Sequence, residues 1–233
     1  SGSVVGKDVT INQLVTDSRA LAKGDCFLAL KGGNFDGHKF AKQTEEKGAV
    51  AIIVEQECDV SIPQVVVADC HKALGIIGAH VKAAVNPKTV GITGSSGKTT
   101  VKEMVAGILA AQGEVLFTAG NFNNDIGVPL TLLRSRPQDK FAVIELGANH
   151  VGEIAYTTQL VKPSVALVNN VAAAHLEGFG SLDGVKRAKG EIYQGLAAGQ
   201  TAIVNLDSNG GAYWDEVLSD KVVKTFSLSD PQA

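Results

Sequence analysis

The sequence predicts an α/β protein: a small α/β domain followed by a mostly parallel sheet built around a phosphate-binding loop. Three observations carry that prediction. Gly94-Ser95-Ser96-Gly97-Lys98-Thr99-Thr100 lies between an apolar run, Thr89-Val90-Gly91-Ile92-Thr93, and a helical pattern in which Val101, Met104, Val105, Ile108 and Leu109 recur at i, i+3, i+4, i+7 and i+8. Beyond it, apolar runs and helical patterns alternate at the spacing of βαβ units. Asn86-Pro87 interrupts the pattern before the loop and is the expected boundary between a first domain, 1–86, and a second, 87–233.

In chain order, residues 4–11 carry a weak strand-and-turn signal, and Ser1-Gly2-Ser3 is set aside as a cloning remnant. A polar cluster, Thr16-Asp17-Ser18-Arg19, precedes a strand over 26–30, a glycine-rich loop over 31–38 (KGGNFDGH) and a helix over 39–47 closed by Gly48. Residues 49–55 and 64–68 read as strands, and Asp69 caps a helix over 70–85. In the second half, strand 89–93 feeds helix 98–111, which Gly113 ends, and strand 114–118 leads into the polar loop 120–127. A helix begins near 128–133 with Pro129 in its first turn. There follow strand 141–146, helix 152–161, strand 165–168, a loop over 169–181, helix 182–198, strand 201–206, a helix around 213–218 and strand 222–226. Near-continuous apolar strands imply a parallel sheet covered on both faces. Ligands of such sheets sit at the carboxyl ends of the strands. The phosphate loop, the 121–127 loop, Glu145, Asn149-His150 and the His175 loop all follow strands, so they are candidates for one shared edge.

With 233 residues, 45% of them hydrophobic, the chain can bury a sizeable core. A net charge of −3 gives no general attraction for nucleic acid or membranes, so an anionic ligand must meet local positive groups. No apolar run is long enough to span a bilayer, and no signal-peptide pattern opens the chain. The three cysteines, Cys26, Cys58 and Cys70, fit no zinc or redox spacing, which suits a reducing cytoplasm.

The chemistry starts at the loop. Glycines let backbone N–H groups crowd around phosphate oxygens, and the helix N-terminus adds partial positive charge. Gly94 through Thr100 would cradle phosphate, Lys98 reach the outer phosphates and Thr99 hold Mg²⁺. The longer eight-residue phosphate-loop pattern lacks its first glycine, since Ile92 stands there. Glu145 ends an apolar strand. It reads either as the acidic partner of Thr99 in a Mg²⁺ shell or as an edge carboxylate in a hydrogen-bonding role. His175, among apolar residues, reads as a structural histidine or as a metal ligand or catalytic group. Lys189 falls on the apolar face of its helix, with Val185 and Ile192. Desolvation there would make its neutral amine available, unless the side chain reaches solvent. His38, His71 and His80 carry no motif.

Thr93 through Met104, Gly120-Asn121-Phe122-Asn123-Asn124-Asp125-Ile126-Gly127-Val128-Pro129, Glu145-Leu146-Gly147-Ala148-Asn149-His150 and residues 169–181 (NNVAAAHLEGFGS) together resemble the Mur ligases, the amide ligases of peptidoglycan precursor synthesis. That family also lacks the first glycine of the longer loop pattern. The first domain resembles its UDP-binding segments at Thr16 to Arg19 and at KGGNFDGH. The resemblance is nearest to the branch that adds D-alanyl-D-alanine, with ELGANH as the discriminating stretch. It implies an ATP-dependent ligase joining D-alanyl-D-alanine to UDP-N-acetylmuramoyl-tripeptide through an acyl phosphate. It further implies that Ser18, Arg19 and Asn34 face the uridine diphosphate, and that Asn123, Asn124 and Asn149 face substrate or phosphates. Thr99 and Glu145 would hold one Mg²⁺. His175 would contribute to a second. Lys189 would be carbamylated and bind or support that metal, so Lys98, His175 and Lys189 are the expected catalytic groups.

The family carries a further C-terminal domain that has no counterpart after Phe226, so the expectation is a cytoplasmic, monomeric fragment that binds the UDP-substrate and is inactive alone. A MurE-type ligase or folylpolyglutamate synthetase is the rival within the superfamily, and ELGANH and NNDIGVP argue against both. A regulatory phosphate-loop switch and a phosphate-loop kinase are the rivals outside it.

Overall fold

The computed structural model describes residues 2–173, 176–208 and 210–230. The chain forms two compact units, 1–74 and 75–233. The division falls inside a continuous helix, α2 (Cys70–Val85), ahead of the Asn86-Pro87 step where that helix ends. Asp69 starts α2 as expected: its carboxylate accepts the Lys72 N–H at 2.9 Å.

The first unit is a five-stranded sheet in the order β1-β5-β4-β3-β2. Its strands are β1 (Gly2–Val5), β2 (Leu14–Val15), β3 (Cys26–Leu28), β4 (Ala51–Val54) and β5 (Gln64–Val67), with β2 to β5 parallel and β1 antiparallel to β5. Gly2 and Ser3, set aside as a remnant, pair with Val67 and Val66. An edge strand is held by its main chain, so side-chain pattern does not betray it. Strand β3 stops at Leu28, earlier than expected, because Leu30 turns its carbonyl to the Gly37 N–H at 2.8 Å. A 3₁₀ turn, Gly37–Phe40, capped by Asp36, precedes helix α1 (Ala41–Glu46). Phe27, Ala29, Ala41, Ile52 and Val54 form the core of this unit.

The second unit is a six-stranded, wholly parallel sheet in the order β11-β10-β9-β6-β8-β7. Its strands are β6 (Lys88–Thr93), β7 (Glu114–Phe117), β8 (Asp139–Glu145), β9 (Val165–Val168), β10 (Thr201–Asn205) and β11 (Val222–Phe226). Alternation along β8 sorts the two faces. Val143 joins Ile92, Leu167 and Ala106 under helix α3 (Lys98–Ala110), while Ala142 and Ile144 join Val168, Val204, Ile192 and Tyr193 on the other side. Helices α4 (Gly127–Leu132) and α5 (Glu153–Val161) cover that second face through Val128, Leu132, Ile154 and Val161.

Two expectations are corrected here. Met104 and Ile108, on the apolar pattern of α3, are exposed; Val101, Val105 and Leu109 pack inward together with Lys102 and Ala106. The helix is rotated so that Lys102, 0% exposed, donates to the Thr118 carbonyl at 2.6 Å. The helix expected over 182–198 ends early: α7 covers Leu182–Gly190 and a 3₁₀ turn covers Glu191–Gly195. Gly190 lies against the Trp214 indole, where a Cβ would come within 2.2 Å of Nε1. A short helix, α6 (Leu176–Phe179), precedes α7, and α8 (Ala212–Leu218) follows β10.

Glu191 leaves α7 to cap another helix. Its carboxylate, 6% exposed, accepts the N–H groups of Gly152 at 2.7 Å and Ala155 at 2.9 Å, at the positive end of α5. At the negative end the buried Lys82 donates to the Val161 carbonyl at 2.8 Å. Helix α5 is thus pinned at both ends by charges from elsewhere in the unit. Glu191→Ala leaves two part-buried N–H donors at the start of α5 without their acceptor and is expected to cost about 2 kcal/mol, a fall in Tm of roughly 4–8 °C by calorimetry. Glu191→Gln, which keeps one acceptor, should lose less, and equal losses would refute the capping role.

Candidate functional site

Because the sheet of the second unit is parallel, the segments after β6, β7, β8, β9 and β10 leave from one edge. The loop after β6 turns through Gly94, at φ +152°, and Gly97, at φ +70°, conformations that side chains disfavour. Helix α3 begins at Lys98, with Gly97 at its N-cap, so its first free N–H groups open directly off the loop. Lys98 lies back across the loop, its Nζ donating to the Gly94 carbonyl at 2.9 Å.

Glu145, at the end of the neighbouring β8, is 1% exposed. The Thr99 hydroxyl donates to its Oε2 at 2.9 Å and the Asn123 carboxamide to its Oε1 at 2.8 Å. Its own N–H donates to the Thr118 hydroxyl at 3.0 Å, and Thr93 Oγ1 donates to the Leu146 carbonyl at 2.7 Å, tying β6 to β8. A hydroxyl and a carboxylate side by side are hard oxygen donors, the set that Mg²⁺ prefers. The pair fits such an ion. Among the described residues no cluster of three or more histidine, cysteine, aspartate or glutamate side chains has metal-site geometry. His175 lies outside the described residues.

Lys189, in the last turn of α7, is 2% exposed, with its ammonium 5.4 Å from the centre of the Phe179 ring. Burial first, and then repulsion from Lys98, pull its pKa down from 10.5 to about 8, against the opposing pull of Glu153 and Glu191. That repulsion sets Lys189 in the same electrostatic neighbourhood as Lys98, across a long gap in the sequence.

The asparagines divide. Asn123 is held on Glu145; Asn124 accepts the Gly127 N–H at 2.8 Å and so caps α4; Asn149 is exposed, with its main-chain N–H on Glu153 at 2.7 Å. His150 bonds the same Glu153 at 3.0 Å. Ser18, Arg19 and Asn34 belong to the first unit, in loops that follow the parallel strands β2 and β3. The Arg19 side chain is 88% exposed and grips Asp17, which holds that carboxyl down at about 2. Ser18 accepts the Lys47 ammonium on its carbonyl at 2.8 Å. Asn34 is exposed, in the turn between the bridged pair Lys31 and Asp36.

Sequence reasoning assigned no role to Asn169, Asn170, Lys102 or Glu191. Asn169 and Asn170 follow β9 directly and bond to the phosphate loop. The signal was an Asn-Asn pair at the carboxyl end of an apolar strand. For Lys102 it was a position one helical turn beyond Lys98.

Comparison with known proteins agrees with the motif-based resemblance. The family model described as Mur ligase middle domain matches residues 92–233, and that of the Mur ligase family, catalytic domain, matches residues 10–112. UDP-N-acetylmuramoyl-tripeptide--D-alanyl-D-alanine ligase of Escherichia coli K12 is 52% identical over 227 residues, which are 97% of this chain and 50% of that protein. The crystal structure of MurF from Acinetobacter baumannii superposes with a TM-score of 0.90 at 45% identity, over 93% of this chain and 48% of that one. That of MurF from Thermotoga maritima in complex with ADP superposes with a TM-score of 0.87 at 32% identity, over 97% and 52%. The chain spans about half the length of the curated relatives it matches. With one family model spanning more than half of its residues, the chain belongs to the Mur ligase family.

Proposed function

We propose that this chain supplies the phosphate-binding and UDP-substrate-binding parts of an ATP-dependent ligase that joins D-alanyl-D-alanine to UDP-N-acetylmuramoyl-tripeptide. The observation that carries the reading is the Thr99–Glu145–Asn123 cluster beside Lys98, at the mouth of a glycine loop. It is supported by the name of the Escherichia coli relative and by the ADP complex of the Thermotoga maritima protein.

In this reaction an oxygen of the tripeptide's terminal carboxylate attacks the γ-phosphorus of ATP, and the bond to ADP breaks. The amine of D-alanyl-D-alanine then attacks the acyl carbon, phosphate leaves, and the nitrogen loses a proton to give the amide. Two anions have to meet, so charge must be neutralised and geometry held. The amides from Gly97 through Thr100 cradle phosphate, and Lys98 swings from the Gly94 carbonyl to the outer phosphates. Thr99 and Glu145 hold Mg²⁺, which screens the phosphate charge when bound. Lys189, with a partly neutral amine, bonds the carbon of CO₂ and loses a proton, becoming an anionic carbamate. With His175 it supports a second metal. Ser18, Arg19 and Asn34 take the uridine diphosphate; Asn123, Asn124 and Asn149 line the approach of substrate. Among the described residues no helix is long and apolar enough to cross a membrane, and Cys26, Cys58 and Cys70 are free thiols.

Calorimetric titration tests the reading. The chain is expected to bind UDP-N-acetylmuramoyl-tripeptide and, separately, Mg²⁺-ADP. Lys98→Met should weaken the nucleotide about 100-fold, roughly 3 kcal/mol of charge-assisted bonding, and leave the UDP-substrate untouched. A chain that binds nucleotide but no UDP-substrate would favour a regulatory switch instead.

A further inference from the structure

The phosphate loop does not hold its own shape. Asn170, just past β9, brackets it: its Oδ1 accepts the N–H groups of Ser95 at 3.1 Å and Ser96 at 2.9 Å. Its Nδ2 donates to the Ser96 carbonyl and to the Ser96 hydroxyl, each at 3.1 Å. Asn169 adds a second donor to the same carbonyl at 2.8 Å, and the Ser95 hydroxyl accepts the Ala172 N–H at 2.9 Å while donating to the Ala172 carbonyl at 3.1 Å. The bracket is itself seated, because Asn205 at the end of β10 donates to the Asn169 carbonyl at 2.9 Å.

Between glycines at φ +152° and +70° this stretch would otherwise sample many conformations. We infer that Asn170 is a positioning residue for nucleotide binding: its carboxamide takes the Ser95 and Ser96 amides and the Ser96 carbonyl, and so presents the amides from Gly97 onward to phosphate in a pre-set array. The inference rests on the reading of residues 94–100 as a nucleotide phosphate site. The ordering is done before the ligand arrives, so it strengthens binding without touching the ligand. The carboxamide matters because it accepts from two amides and donates to a carbonyl at once. It does so from two separate atoms, Oδ1 accepting and Nδ2 donating, where a hydroxyl would have to accept and donate at a single oxygen.

Two measurements on the full chain test this. Amide hydrogen exchange, read by NMR without nucleotide, is expected to speed at least tenfold at Ser96 in Asn170→Ala. Ser95 should change less, because its N–H also donates to the Asn170 main-chain carbonyl at 3.0 Å, and Val101, held by the Gly97 carbonyl, should not change. Asn170→Asp, which keeps the acceptor, should retain slow exchange at Ser96. In the second measurement Mg²⁺-ADP should bind Asn170→Ala about tenfold more weakly, with UDP-substrate affinity and Tm unchanged. Asn170→Asp should bind it more weakly still, through repulsion of phosphate. Unchanged exchange at Ser96, or equal or tighter ADP binding by Asn170→Ala, would overturn the inference. If the wild-type chain binds no ADP, the nucleotide reading and the positioning role built on it both fall, and the exchange result alone still decides whether Asn170 brackets the loop.

Discussion

Glu145→Gln is expected to weaken the Mg²⁺-dependent part of nucleotide binding by about 100-fold, or roughly 2.7 kcal/mol, while leaving the fold intact. The carboxylate offers one oxygen to Thr99 and the other to Asn123. Glutamine keeps one oxygen, and Asn123 can rotate its own carboxamide to receive the new NH₂. Every buried donor then still finds an acceptor, and stability should change by about 1 kcal/mol or less. What disappears is the negative charge, and a hydroxyl with a neutral amide is a poor shell for a divalent cation. Glu145→Ala is the harsher change. It empties the space of a side chain that is 1% exposed and takes the acceptor from the part-buried Thr99 and Asn123 donors, at about 2–4 kcal/mol. Titrating Mg²⁺ at fixed ADP, alongside thermal melts, separates the two losses. A glutamine variant with the wild-type Mg²⁺ dependence would remove Glu145 from the metal site and leave it the hydrogen-bonding role that was the alternative from sequence.

In CO₂-free buffer, where Lys189 is a free amine, Lys189→Met is expected to stabilise the folded chain at pH 7 by about 2–3 kcal/mol, raising Tm by roughly 4–12 °C. The sign follows from linkage. The pKa of Lys189 is about 8 in the folded chain against 10.5 for an ordinary lysine. Between those values the unfolded chain carries a proton that the folded chain has released, so the stability of the wild type rises with pH across that window. Below pH 8 both states are protonated, and the folded state bears the cost of a cation that is buried and repelled by Lys98. Methionine removes that cost and packs against Phe179. The advantage of the variant should therefore be constant below pH 8, shrink as pH climbs, and vanish near 10.5. Parallel stability curves for the two proteins across pH 7–10.5 would show that Lys189 titrates as an ordinary lysine. A natural sequence that keeps a destabilising lysine is consistent with a use for its amine.

Much of this molecule is legible in local pattern. The alternation of apolar runs and helical stripes placed most elements of the second unit to within two residues, and the order of strands and crossovers implied a parallel sheet. The errors have specific causes. Strand β1 is an edge whose main chain does the pairing, so Gly2 and Ser3 carry no side-chain signal. Helix α3 is rotated because Lys102, a residue that pattern reading places outside, has a carbonyl to satisfy inside. Helix α7 stops because Gly190 meets Trp214 and Glu191 is drawn to the N-terminus of α5.

The sequence by itself determined the α/β class, the glycine loop between strand and helix, and the family, because each resides in residues that are neighbours along the chain: a glycine turn, and motifs a few residues long. Only the tertiary structure decided that Thr99 and Asn123 meet on Glu145, that Lys189 is buried within reach of Lys98's charge, and that Asn170 brackets Ser95 and Ser96. Those meetings depend on which strands lie side by side, β9 next to β6 and β6 next to β8, and on how each helix rolls on the sheet. Both are set by long-range packing, which makes neighbours of residues that no local window of the sequence contains together.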